Sequence, residues 1–127
     1  MTLLYEAFDL YRQVFLDGRE PARDPNPTWL GYSVGKWEGD TLVVDAIGLN
    51  GKAWLDQAGH PATDSLHVTE RFRRRDFGHL EIQTIIDDPK AYTRPWTANV
   101  VMKFQPGTEL LEFVCENEKD LKHLQRR

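Results

Sequence analysis

The stretch from Trp29 to Ile47 constrains the fold most. Trp29 to Trp37 and Thr41 to Ile47 are two runs rich in apolar and β-branched residues, separated by Glu38-Gly39-Asp40. A short glycine-bearing turn between such runs specifies a tight antiparallel hairpin, because glycine adopts the positive-φ conformation of the turn without steric cost. Leu42, Val44 and Ala46 alternate with Thr41, Val43 and Asp45, so the second strand is expected to be covered on both faces.

The same rhythm continues along the chain. Thr2 to Ala7 and Leu10 to Leu16 read as strands, the latter closed by Asp17-Gly18-Arg19. Leu66 to Arg75 and His79 to Asp87 flank Asp76-Phe77-Gly78, and Trp96 to Gln105 and Glu109 to Glu116 flank Pro106-Gly107-Thr108. Between them, Glu20 to Thr28 carries Pro21, Pro25 and Pro27 and is an extended loop that cannot be helical. Gly48 to Ser65 is the longest non-strand segment, with a helical turn expected at Lys52 to Ala58, and a second loop runs from Asp88 to Pro95. Glu118 to Gln125 reads as a short C-terminal helix with Asn117 as its N-cap.

About eight strands at hairpin spacing, without the helical crossovers that parallel strands need, predict an all-β antiparallel meander. Closure into a lipocalin-like barrel removes the exposed edges of such a meander. Eight strands enclose just enough room for side chains or one small ligand. A two-sheet sandwich is the alternative. Residues 1–127 form a single domain, with no linker or repeat beyond the hairpins.

Composition sets outer limits. A net charge of −4 gives no general attraction to nucleic acid or anionic membrane. No window approaches the length of an apolar membrane span. The N-terminus lacks a basic region followed by an apolar core, so no signal peptide is expected in this chain, and its localisation stays open. Cys115 is the only cysteine and sits in an apolar run, where it reads as a small buried hydrophobe.

The hairpin Gly35-Lys36-Trp37-Glu38-Gly39-Asp40-Thr41-Leu42-Val43-Val44 resembles those of the calycins, the lipocalins and fatty-acid-binding proteins. Over nearly the whole chain, Tyr11-Arg12-Gln13, Asp24-Pro25-Asn26-Pro27-Thr28-Trp29, Glu70-Arg71-Phe72-Arg73-Arg74 and Ile86-Asp87-Asp88-Pro89 resemble a family of bacterial proteins, often secreted, whose function is not established. That resemblance implies additional sequence ahead of the segment that begins here, and a first strand without its partner would favour homodimerisation through an open edge. It transfers no catalytic residues.

Asp56, His60, Asp64, His67, Glu70 and His79 are the residues most suited to chemistry. A histidine beside a carboxylate serves as acid or base near neutral pH. His60 lies in the long loop, where it can face a barrel mouth. Glu70 shares a strand face with Leu66, Val68 and Phe72; if that face is interior, its pKa rises unless a cation pairs with it, and the plainer reading is an Arg–Glu pair with a neighbouring strand or a face turned partly to solvent. His67 and Glu70 fall on opposite faces of a strand, and no His-x-His motif is present, so no metal or other cofactor is expected. The run Arg71, Arg73, Arg74 and Arg75 splits between faces and reads as a solvated edge laced to acids rather than a nucleic-acid surface.

Trp54 and Tyr92 in loops, with Trp96 at a strand start and Tyr32 within the Trp29 to Trp37 run, are candidates for ligand contact. The leading expectation is therefore a barrel that binds a small apolar or amphipathic molecule through Trp54, Tyr92, Trp96 and Tyr32. The alternative is a cofactor-free isomerase, cyclase or hydratase in the same cavity, with His60, His67 or Glu70 as acid or base and Asp56 orienting a histidine. A third reading is a structural or dimerisation module with a filled core.

Overall fold

The computed structural model of the protein describes residues 1–111. Seven strands form one sheet in chain order: β1 (Thr2–Tyr5), β2 (Leu10–Phe15), β3 (Tyr32–Glu38), β4 (Thr41–Ile47), β5 (His67–Asp76), β6 (His79–Asp87) and β7 (Trp96–Lys103). The sheet is curled into a half-barrel, with β1 and β7 as its two ends among the described residues. Apart from a 3₁₀ turn at Ala7–Asp9, these residues contain no helix.

β4 and β6 span the ranges expected from the sequence. β3 begins later, at Tyr32, because Gly31 takes φ +67° and Thr28 bridges Leu49 instead. The helical turn expected at Lys52 to Ala58 is absent; bends and turns occupy that stretch. Glu109 to Leu111 carry no strand; the rest of the strand expected to Glu116, Cys115 and the helix expected at Glu118 to Gln125 lie outside the described residues.

Topology departs from a pure meander at one junction. β2 and β3 run parallel, in register at Val14↔Ser33 and Phe15↔Val34, whereas every other neighbouring pair is antiparallel. The proline-rich stretch 16–31 makes the crossover without a helix, which the composition alone does not disclose. Gly35 permits the contact: a Cβ there would stand 2.8 Å from Leu16 Cδ2 and 2.9 Å from Val14 Cγ1.

Arg12 on β2 pairs with Glu70 on β5 through Nη2 and Oε2. Three strand spacings separate β2 from β5, about 14 Å in a flat sheet. Curling brings these side chains together, so the face that bears them is the concave one. Strand alternation puts Val14, Leu42, Val44 and Phe72 on it too, and Val14, Leu42 and Val44 form the core cluster with Leu3 and Phe72 packed against it. On the convex side Val34 and Val43 are also buried, beside the stretch Gly18 to Pro21, so β4 is covered on both faces as expected. Toward the β3–β4 turn that face carries ion pairs: Arg71 reaches Glu38 at 3.1 Å and Arg73 reaches Asp40 at 3.3 Å. Near the β5–β6 turn Arg75 reaches Glu81 at 3.3 Å, so the arginine run is laced to acids.

Candidate functional site

The long loop after β4 is held in place by a buried acid that sequence reasoning passed over. Asp88, 1% exposed, accepts hydrogen bonds from the Thr63 amide (2.6 Å), the Thr63 hydroxyl (2.7 Å) and the Lys90 amide (3.2 Å). Its own carbonyl accepts from the Ala91 and Tyr92 amides. Burial pushes the Asp88 carboxyl up, but the bonds from Thr63 and the neighbouring amides outweigh it and the pKa lies below the ordinary aspartate value. The only sequence signal was the Asp87-Asp88-Pro89 turn. Gly51 serves the same fold-back, since a Cβ there would meet the Asp64 amide nitrogen at 2.6 Å.

This stapling carries a small excursion of the loop over the start of β7. Trp54 bridges Pro61, and the Leu55 amide donates to the His60 carbonyl at 2.8 Å. Asp56 organises the turn: Oδ1 accepts from the Ala58 amide at 2.9 Å, while Oδ2 lies 2.7 Å from His60 Nδ1. The bond to His60 holds the Asp56 carboxyl below its ordinary pKa. The His60 ring lies 6.0 Å from that of Trp96, which meets Tyr92 edge-on at 5.7 Å. Tyr92 donates to the Pro61 carbonyl at 2.8 Å, and burial, with the charges of Asp56 and Asp88, raises its pKa.

The structure thus brings together Asp56, His60, Tyr92 and Trp96 from the sequence-derived set. Trp96 shares the concave face with Ile86, its register partner. The imidazole Nδ1 is engaged by Asp56, which leaves Nε2 as the ring atom able to exchange a proton with a bound molecule. Trp54 stays exposed on the same excursion.

The other candidates go elsewhere. His67 faces the convex side, where Nε2 lies 3.0 Å from Asp45 Oδ1, an oxygen that also accepts from Thr69 Oγ1 at 2.6 Å. Glu70 faces the concave side and is neutralised by Arg12, their side chains 15% and 11% exposed. Strand parity therefore separates His67 from Glu70. Tyr5 stands in the field of this ion pair; burial is the main cause that raises its hydroxyl pKa. Tyr32 stacks on Phe15 at 5.1 Å, beneath the Arg19 guanidinium. Among the described residues no cluster of three histidine, cysteine or acidic side chains is arranged to hold a metal.

Two of the surface depressions have largely apolar walls. A cleft of about 710 Å³ lies at the β5–β6 turn, away from the His60 loop, and is lined by Phe77, Leu80, Met102 and Phe104 with Arg74 and Lys103. Phe77 and Phe104 meet edge-on at 5.4 Å. Arg74 spends its hydrogen bonds on the Asp76 and Phe77 carbonyls. A second groove, of about 580 Å³, separates β2 from the Thr28–Ser33 stretch. Among the described residues Arg12 Nε, Ser33 Oγ and Trp96 Nε1 are buried without a hydrogen-bond partner. No family model, curated protein or solved structure matches the chain, and its chemistry is read from this geometry alone.

Proposed function

We propose that the protein binds a small amphipathic anion, with the apolar part in the cleft beside the β5–β6 turn and the charged end toward Arg74 and Lys103. The observation that carries this reading is the cleft itself, about 710 Å³ with Phe77, Leu80, Met102 and Phe104 as walls. Its size falls within the range of small-molecule sites, and concave apolar walls with few polar groups are their usual make-up. Arg74 donates only to the Asp76 and Phe77 carbonyls, and among the described residues neither it nor Lys103 is paired with a carboxylate, so charge is left for a ligand. The closed, eight-stranded lipocalin-like barrel belongs to the same proposal, because closure would enclose the cleft.

Calorimetric titration with a saturated fatty-acid series tests it. Saturable binding that strengthens with chain length, and weakens about tenfold in Met102→Glu, is the expected result. Absence of saturable binding across the series overturns it.

A second reading has its own observation, the 2.7 Å contact between His60 Nδ1 and Asp56 Oδ2 over Trp96. In it the protein is a cofactor-free proton-transfer enzyme whose base is His60 Nε2. Deuterium exchange at the carbon next to the carbonyl of an added cyclic ketone would reveal this. Exchange lost in His60→Gln and reduced in Asp56→Asn supports the reading; exchange no faster than in buffer removes it.

A further inference from the structure

The groove between β2 and the Thr28–Ser33 stretch carries its aromatic rings on the convex side of the sheet, opposite the Arg12–Glu70 pair. β2 touches β3 at only two register pairs, Val14↔Ser33 and Phe15↔Val34, and beyond them the two segments part. Strand alternation turns Tyr11, Gln13 and Phe15 toward the convex side, and Tyr32 of β3 with them. Tyr11 and Trp29 line the groove and are both largely exposed. Tyr32, stacked on Phe15, adds a third aromatic surface. A single exposed ring is ordinary, but several along one groove mark a surface that something covers.

Charge narrows the choice of occupant. Arg12 is the only lining residue with a formal charge, and its guanidinium is spent on Glu70 at the opposite face. A nucleic acid or an anionic lipid would find no free cation here. The polar groups that line the groove on the aromatic side are the exposed Gln13 amide and the Tyr11 and Tyr32 hydroxyls, which both donate and accept. Tyr32 accepts from Arg19 Nη1 at 3.2 Å and keeps its own proton to donate. The occupant must therefore be uncharged, present flat apolar faces to the rings, and carry groups at its rim that donate and accept at once. Glucose-type rings have that make-up: axial C–H groups form the face and equatorial hydroxyls the rim. Equatorial β-1,4 linkages keep successive units flat, so that consecutive sugars can cover separate aromatics. A groove of about 580 Å³ suits a short oligomer. We infer that this groove is a second binding site, for a neutral β-1,4-linked oligosaccharide stacked on Tyr11 and Trp29 and hydrogen-bonded by Gln13 and the Tyr32 hydroxyl. The site is separate from the cleft beside Phe77 and does not depend on it.

Titration with cellobiose and cellotetraose tests it, followed through the Trp29 indole N–H and the Gly31 backbone amide resonances. The expected result is saturable binding of cellotetraose with shifts at both residues, about tenfold tighter than cellobiose. Trp29→Ala and Tyr11→Ala are each expected to weaken cellotetraose about fivefold. Both side chains lie in solvent, so the melting temperature should stay close to that of the parent. No saturable binding of cellotetraose, shifts confined to other regions, or an affinity unchanged by both substitutions overturns the inference. So does tighter binding of a polyproline peptide at the same resonances, since such peptides also dock in aromatic grooves. The titrations use the unaltered protein, so they decide the matter even if a variant fails to fold. Met102→Glu leaves this binding unchanged, which separates its outcome from that of the fatty-acid site.

Discussion

On the concave face Arg12 and Glu70 meet among apolar residues, with side chains 11% and 15% exposed; on the convex face Arg71 and Arg73 meet Glu38 and Asp40 in open solvent. Both arrangements join strands distant in sequence, yet their energetics differ. An ion pair in solvent gains little over its hydrated parts and is screened by salt. A pair withdrawn from water has been stripped of hydration, so each charge depends on the other. The concave pair is thus a liability if broken, while the convex pairs are dispensable singly.

The sharpest way to break that contrast is Arg12→Leu. It strands Glu70 on an apolar face and is expected to lower stability by about 3 kcal/mol in urea denaturation. Arg12→Leu combined with Glu70→Leu should recover most of the loss, since two apolar side chains replace two charges. If the double variant is no better than the single one, the faces are not energetically distinct.

Asp88 sharpens the comparison because it is a buried acid matched by hydrogen bonds instead of a cation. Asp88→Ala is expected to cost about 2 kcal/mol and to loosen the loop that carries His60. The folded pKa of Asp88 lies below its unfolded value. Its contribution is therefore present in full above about pH 4 and is lost as pH falls through the folded pKa. Parent and Asp88→Ala stabilities should converge in acid; a constant gap down to the lowest pH that preserves the fold would contradict the assignment.

Smaller effects come next. Arg73→Ala on the convex face should leave the urea midpoint within experimental scatter, and a loss comparable to Arg12→Leu would erase the distinction between faces. His60→Ala should let the Asp56 carboxyl return toward its ordinary value, seen as an upward shift in its carbon-13 titration by NMR.

Much of this was legible before any coordinates. Glycine turns at Gly39 and Gly78 and period-two patterning placed β4 and β6 within their observed bounds. The local pairing of Asp56 with His60 follows from a turn only four residues long in sequence separation. Strand parity put His67 and Glu70 on opposite sides, but the plainer reading of Glu70, a pair with an arginine of a neighbouring strand or a face turned partly to solvent, named the wrong neighbour: its partner Arg12 stands three strands away. What stayed hidden was non-local. Nothing near Arg12 signals that it reaches Glu70, because that contact depends on how sharply the sheet curls. Nor does the stretch 16–31 disclose a parallel return, since extended proline-rich chain is compatible with either direction. Asp88 was missed because a turn aspartate and a buried anchor look alike until Thr63 is brought beside it.

The parallel junction between β2 and β3 also bears on the order in which the molecule assembles. β3 to β7 are chain neighbours joined by antiparallel pairing, and the β3–β4 and β5–β6 hairpins close over very short turns, the low-entropy contacts that form early. The N-terminal hairpin must instead search for its place across the 16–31 connection and find only two register pairs there. From that topology it is expected to dock late and leave first. In native-state hydrogen exchange the amides of β1 and β2 would open as one unit at a lower free energy than those of β4 and β5, so Arg12 and the groove it lines belong to the most readily released part of the sheet.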